Sequence, residues 1–237
     1  MSFNNLPTRR VAGIVVPDTL LTRAAEALVR EHFDQVTYNH VMRCLCYGFA
    51  IADRLPELRN RDREVHALAT LFQVIGSNPT NHFSSDNIRF EVDAANVARS
   101  FVEMRATQQG AWDVSGGWDK HRLQLLWDAV ALHGTPSIAQ HKEVEVRAVF
   151  IGVLTDLVAF ENAPGGVLTK AEWIAIRQTF PRQGFKASIV AMCVALCQRK
   201  PETTYDCWVG EIGELFNAKG YSRKNRKFSD TICRVAD

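Results

Sequence analysis

The chain has 237 residues, 46% of them hydrophobic and 23% charged, and a formal net charge of +2; this is the make-up of an ordinary globule, short enough for one core, since single cores stop growing at about 250–300 residues. So small a charge offers no basis for a nucleic-acid groove or an anionic membrane surface. No run approaches the roughly 20 apolar residues of a membrane helix, and the opening MSFNNLPTRRVAGIVVPD lacks a signal-peptide layout, so a cytoplasmic location is expected.

Helical signals follow one another along the sequence. Asp18 can cap a helix to about His32, on which Leu20, Leu21, Ala24 and Leu28 form a 3.6-period stripe. A second helix is predicted from about Thr37 to Arg54, stopping before Pro56, and a third from about Asp62 to Ile75, ending at Gly76 with Ser77, Asn78 and Pro79 beyond. Ser84 or Ser85 can cap a fourth that reaches about Met104. GGWDKHRLQLLWDAVALHG makes a fifth, closed by Gly134 with Thr135-Pro136 as the stop. KEVEVRAVFIGVLTDLVAF makes a sixth, and Thr169-Lys170-Ala171-Glu172 is a capping box that opens a seventh. GFKASIVAMCVALCQRK and YDCWVGEIGELFNAKG complete the set. The one strand-like stretch, VAGIVV, is too short to organise a sheet, so the predicted fold class is all-α.

Six cysteines leave that picture unchanged. Cys193 and Cys197 lie in an apolar helical run and read as buried structural thiols, Cys44 and Cys46 point to different helix faces, and no C-x-x-C occurs. Reduced thiols are expected. P-loop, G-x-G-x-x-G, G-x-S-x-G and H-E-x-x-H motifs are absent from the sequence. Four charges in YSRKNRKFSD read as solvated surface, as do EVEVR and GWDKHR. Trp118, beside a glycine pair, is a candidate pocket wall.

Polar residues on apolar faces carry more information. Asp156 sits in VFIGVLTDLVAF, where a buried carboxylate must be neutral, hydrogen-bonded, paired with an arginine or bound to a metal. His40 stands near the start of the second helix, one turn before Cys44. His133 ends the fifth helix, where the helix dipole favours the cation and should draw its pKa upward; capping and acid–base use are both open to it. Gln73 shares a face with Thr70 and His66, a polar stripe on a helix of Leu, Val and Phe. A buried amide needs partners, so the stripe should face a polar pocket or a neighbouring polar group.

The strings YNHVMRCLCYG, LATLFQVIG, RFEVDAANVARSFV, LLWDAVALHGTPSIAQHKEVEV and GVLTDLVAF follow one another in the order and spacing of the cyanamide-hydratase-like branch of the HD-domain superfamily, which the chain resembles from about Tyr38 to Phe160. The resemblance implies one HD-like helical domain over residues 1–237, with the first 16 or so as an extended arm. It also implies a divalent metal held by a histidine, an adjacent His-Asp pair and a later aspartate. His40 stands at the first position and Asp156 at the last, but Gln73 and Val74 stand where the His-Asp pair belongs. One imidazole, one amide and one carboxylate bind zinc or iron far less well than two imidazoles and two carboxylates.

The resulting expectation is a metal-independent enzyme without cofactor, performing acid–base chemistry of lyase, hydratase, isomerase or cyclase type on a small-molecule substrate, as in a specialised biosynthetic pathway. His40, Asp156 and His133 are its candidate catalytic groups, and Gln73, Thr70, His66 and Trp118 its candidate binding groups. Two alternatives stand beside it: a ligand-binding relative without activity, or a zinc- or iron-dependent hydratase or hydrolase with a weakened site. No nucleic-acid or membrane partner is expected, and a homo-oligomer is compatible with the sequence.

Overall fold

A computed structural model describes residues 6–78, 81–108 and 117–235; residues 1–5 of the expected arm, Pro79 of the predicted stop and Gly116 lie outside that range. The described N-terminal residues form a hairpin instead of an extended arm. β1 (Thr8–Val11) and β2 (Ile14–Pro17) pair antiparallel, with Thr8 opposite Pro17 and Val11 opposite Ile14. The turn residues Ala12 and Gly13 have φ of 49° and 85°, the double left-handed conformation of a tight hairpin turn. β2 lies against the helices that follow, burying Ile14 and Val16. Packing on helices is what stabilises a two-stranded ribbon that would be marginal alone.

Eleven α-helices complete the described residues. They are α1 (Leu20–His32), α2 (Gln35–Ala52), α3 (Arg63–Phe72), α4 (Phe90–Gln108), α5 (Lys120–Ala131), the single turn α6 (Pro136–Ala139), α7 (Val144–Leu157), α8 (Lys170–Thr179), α9 (Phe185–Arg199), α10 (Trp208–Leu215) and the short α11 (Phe228–Ile232). The protein is therefore mostly helical, as predicted, with α6 and α11 unanticipated. Local chemistry sets the starts. Asp34, Asp62 and Asp119 each cap a helix by accepting from backbone N–H groups of its first turn. The capping box at Thr169 and Glu172 is formed, and Arg54 grips the same glutamate.

Two predicted caps fall elsewhere. Thr19 caps α1, while Asp18 pairs with Arg23. Ser84 and Ser85 precede α4 without capping it. The Ser85 hydroxyl and N–H both donate to Asp93, and Lys200, only 2% exposed, donates through its ammonium to Ser84 Oγ, to the carbonyls of Ser85 and Ile88, and to Asp93. A fully coordinated buried lysine thus ties the 84–88 loop to the end of α9.

The core is organised around α2, whose residues 38–52 are buried without a break. It crosses α7 at two glycines: a Cβ on Gly152 would lie 2.5 Å from the Cys44 carbonyl oxygen and 3.1 Å from Gly48 Cα. Only glycine permits that backbone approach. α3 and α5 flank α7, and α4 packs along α5. A second, smaller apolar cluster joins α9 and α10 around Cys193, Leu196 and Cys197, with Phe90 from α4. All six cysteines are free thiols, five of them buried.

The segments read as exposed faces are partly internal. Glu145 is buried and accepts from the Asp62 backbone N–H at 2.6 Å. Arg122 is buried too, bonded to Asp62 and Glu64 and lying 4.1 Å from the centre of the Trp118 ring. Charged strings next to helix starts look solvated in sequence, yet here Glu145 and Arg122 are both buried against Asp62 at the start of α3.

Candidate functional site

α2 and α7 bring together residues 116 positions apart. His40 Nδ1 lies 2.7 Å from Asp156 Oδ2, and Arg43, one helical turn after His40, forks the same carboxylate through Nε (2.6 Å to Oδ1) and Nη2 (2.8 Å to Oδ2). The remaining guanidinium nitrogen donates to the carbonyls of Phe180 and Pro181, which lead into α9. Burial pushes the Asp156 carboxyl up, but the bonds from His40 and then Arg43 outweigh it and hold its pKa below the ordinary value of 3.8. An ionised Asp156 accepts from Nδ1–H of His40, which fixes the tautomer and leaves Nε2 as the nitrogen that can exchange a proton. Phe185 of α9 stacks on the His40 ring, centroids 4.6 Å apart.

Beside this dyad is a cavity of about 680 Å³ lined mainly by apolar side chains of α7 and α9 and by His40 and His133. His133 Nδ1 lies 2.7 Å from the Val130 carbonyl oxygen, so it carries the proton and donates. Burial lowers the pKa of His133, more than the Val130 bond raises it. This reverses the direction expected from the helix dipole: a dipole term of a few tenths to one kcal/mol at an exposed helix end yields to desolvation at a buried one. His133 is a neutral ring with Nε2 as acceptor.

The other candidates are divided. Gln73 ends α3, wholly buried, and Val74 after it lines the cavity. The Gln73 amide nitrogen and oxygen lack a well-aligned partner, with only a weak polar contact to the Cys44 thiol. Thr70 and His66 are not among the residues that line the cavity. Thr70 Oγ donates to the His66 carbonyl, and His66 Nδ1 accepts from Arg61 Nε at 2.8 Å while its ring stacks on Phe49. Trp118 lines a different depression, next to α1 and Arg122. Thr70 and His66 therefore serve internal packing, Gln73 sits against Cys44 of the His40 cluster, and Trp118 is not a wall of the cavity beside His40.

No family model matches the chain, and no curated protein matches it.

Arg43, Cys44 and Phe185 are the site residues that sequence reasoning missed. Arg43 was detectable: an arginine three residues after His40, in an otherwise apolar run, shares its helix face. Phe185 had no such signal, because its role depends on how α9 folds back. Cys44 Sγ lies 3.5 and 3.8 Å from the two ring nitrogens of His40, committed to neither, and its ligand atom falls within 4.8 Å of those of His40 and Asp156. As a donor set for a tightly held zinc or iron, these three do not fit. Both Asp156 oxygens are already engaged, and a guanidinium cation stands at the carboxylate where a metal cation would have to sit.

Proposed function

We propose that the chain is a metal-independent enzyme built on an HD-domain-like pocket, transferring protons within a small organic substrate held in the cavity beside His40. One observation carries this reading: His40 stands at the cavity wall with Nδ1 held by the buried Asp156 and Nε2 left for the substrate. Nε2 takes a proton from the bound molecule, Asp156 stabilises the resulting imidazolium, and Arg43 keeps the carboxylate ionised and in place. Returned to a different atom, that proton completes an isomerisation; with departure of a leaving group, the same first step is an elimination. The neutral His133 orients the substrate as an acceptor. The meeting of His40 with Asp156 supports the resemblance drawn from the sequence, and the guanidinium beside Asp156 supplies the positive charge that a metal supplies in that superfamily.

The geometry also selects the experiment. Asp156→Asn is a poor probe, because it leaves the fully buried Arg43 without a counter-charge and should cost about 3–5 kcal/mol of stability. His40→Gln, at the cavity edge, is the cleaner one. The chelator-dialysed protein, incubated with a small-molecule extract and followed by mass spectrometry, should convert one component, and His40→Gln should slow this by about 10²–10⁴. Turnover that requires an added metal, or that survives His40→Gln at the parent's rate, overturns the reading. A compound that is bound and never converted favours the ligand-binding alternative.

A further inference from the structure

We propose that the cavity takes an uncharged molecule with a mostly apolar skeleton and one hydrogen-bond donor, a hydroxyl or an N–H, directed at His133. This rests on the reading that the cavity beside His40 is the working site, and adds the class of molecule it accepts.

Charge carries the first part. The walls are Phe150, Val153 and Leu154 from α7 and Ile189, Met192 and Ala195 from α9, and no lysine or arginine lines the cavity among the described residues. A phosphate or carboxylate would leave water there with no lysine or arginine to meet it, which is costly for an ionised group. Of the lining histidines, His133 donates to Val130, His40 is paired with Asp156 and His32 packs edge-on against His82 and Phe83. A cationic ligand fares no better. Among the described residues the one lining carboxylate is Asp34, an exposed residue that caps α2 through the Thr37 N–H, and Asp156 lies behind His40 with both oxygens engaged. Only a neutral ligand avoids an unpaired charge.

Size and polarity carry the rest. At about 680 Å³ the cavity lies in the range of sites for drug-sized ligands; a substrate of three or four heavy atoms would leave most of its walls untouched. At its polar end, His133 engages its Nδ1–H with the Val130 carbonyl, so Nε2 can only accept. Burial favours the same neutral state. A ligand group that donates satisfies Nε2, whereas a bare carbonyl oxygen would oppose one lone pair to another.

Two probes isolate the charge. N-phenyl-1-naphthylamine is neutral and apolar with a single N–H, and 1-anilinonaphthalene-8-sulfonate adds an anion to the same skeleton. In fluorescence titrations of the full chain, the neutral probe should bind saturably and at least tenfold more tightly than the sulfonate; equal affinity, the reverse order, or no saturable binding overturns the proposal. Val153→Trp and Ala195→Trp fill the cavity from opposite walls. Either variant, if its circular dichroism matches the parent's, should lose the neutral probe at least tenfold, and retention in a folded variant places the probe elsewhere and overturns the proposal. In the parent itself, ¹⁵N-histidine spectra should move at His133 on binding and stay fixed at the exposed His121 and His141; an unmoved His133 refutes the donor assignment whatever the variants do. These are equilibrium readouts. A lost preference with turnover intact rejects the ligand class alone, and an intact preference with turnover unaffected in His40→Gln rejects the acid–base reading alone.

Discussion

At the scale of single residues, two histidines store stability that acid removes. His66 is wholly buried, and burial, then the charges of Arg61 and Arg63, drive its pKa well below 6.5; burial lowers that of His133. The unfolded chain therefore binds more protons than the folded one once the pH falls through about 6.5. Their contribution is complete above that value and lost below it. Urea denaturation at pH 7.5 and 5.5 should show up to about 2–3 kcal/mol less stability at the lower pH, at 1.36 kcal/mol for each unit and each proton. Asp156 acts in a separate window: its folded pKa lies below 3.8, so its share is present above 3.8 and disappears as the pH falls further. A flat profile from pH 7.5 to 5.5 would show that both histidines take up protons without unfolding. The dipole argument for His133 failed because sequence gives the helix end and not its burial.

At the scale of elements, the α2–α7 crossing holds the site together. Asp156 is one helical turn beyond Gly152, where an added Cβ would meet the Cys44 carbonyl oxygen and Gly48. Gly152→Ala should therefore cost at least about 1–3 kcal/mol of stability through overpacking, and by pushing α7 from α2 should lengthen the His40–Asp156 bond. Thermal melting checks the first, and the His40 proton resonances in NMR the second. A variant as stable as the parent would mean that the helices part without strain. Most helices were legible because their caps are local: Asp62 and Thr169 announce helix starts through chemistry within four residues, whereas α3 ends at Phe72, short of the stop expected at Gly76. The hairpin was not, because strands of four residues become stable only against α2 and α3. Nor was the fate of Trp118 or Arg122, since each depends on a partner from another element. His40 and Asp156 were legible as unusual residues for their helices. That Arg43 shares the carboxylate, and that Thr70 and His66 turn inward, are facts of helix rotation that a single amphipathic stripe does not fix.

At the scale of the whole molecule, the question is whether this bundle can form a metal pocket. α3 ends at Gln73, and the turn after it runs to Gly76, where a Cβ would lie 2.4 Å from the Phe90 carbonyl oxygen. Gln73 contacts Cys44, and Val74 lines the same cavity as His40. Replacing Gln73 with His and Val74 with Asp adds an imidazole and a carboxylate next to His40 and Asp156. The added negative charge weakens the hold of Arg43 as sole counter-charge and gives a dication four donors of the right kind. If the pocket descends from a metal-binding one, Gln73→His/Val74→Asp should retain about one zinc or iron per chain through brief chelation, measured by elemental analysis, where the parent retains none. The same ion would claim His40 Nε2 or Asp156, so turnover by the parent's route should be lost. Parent protein that holds a stoichiometric metal would refute the metal-independent reading. A folded double variant that takes up none would count against the proposed relation to the HD-domain superfamily, leaving His40, Asp156 and Arg43 as a triad with its own origin.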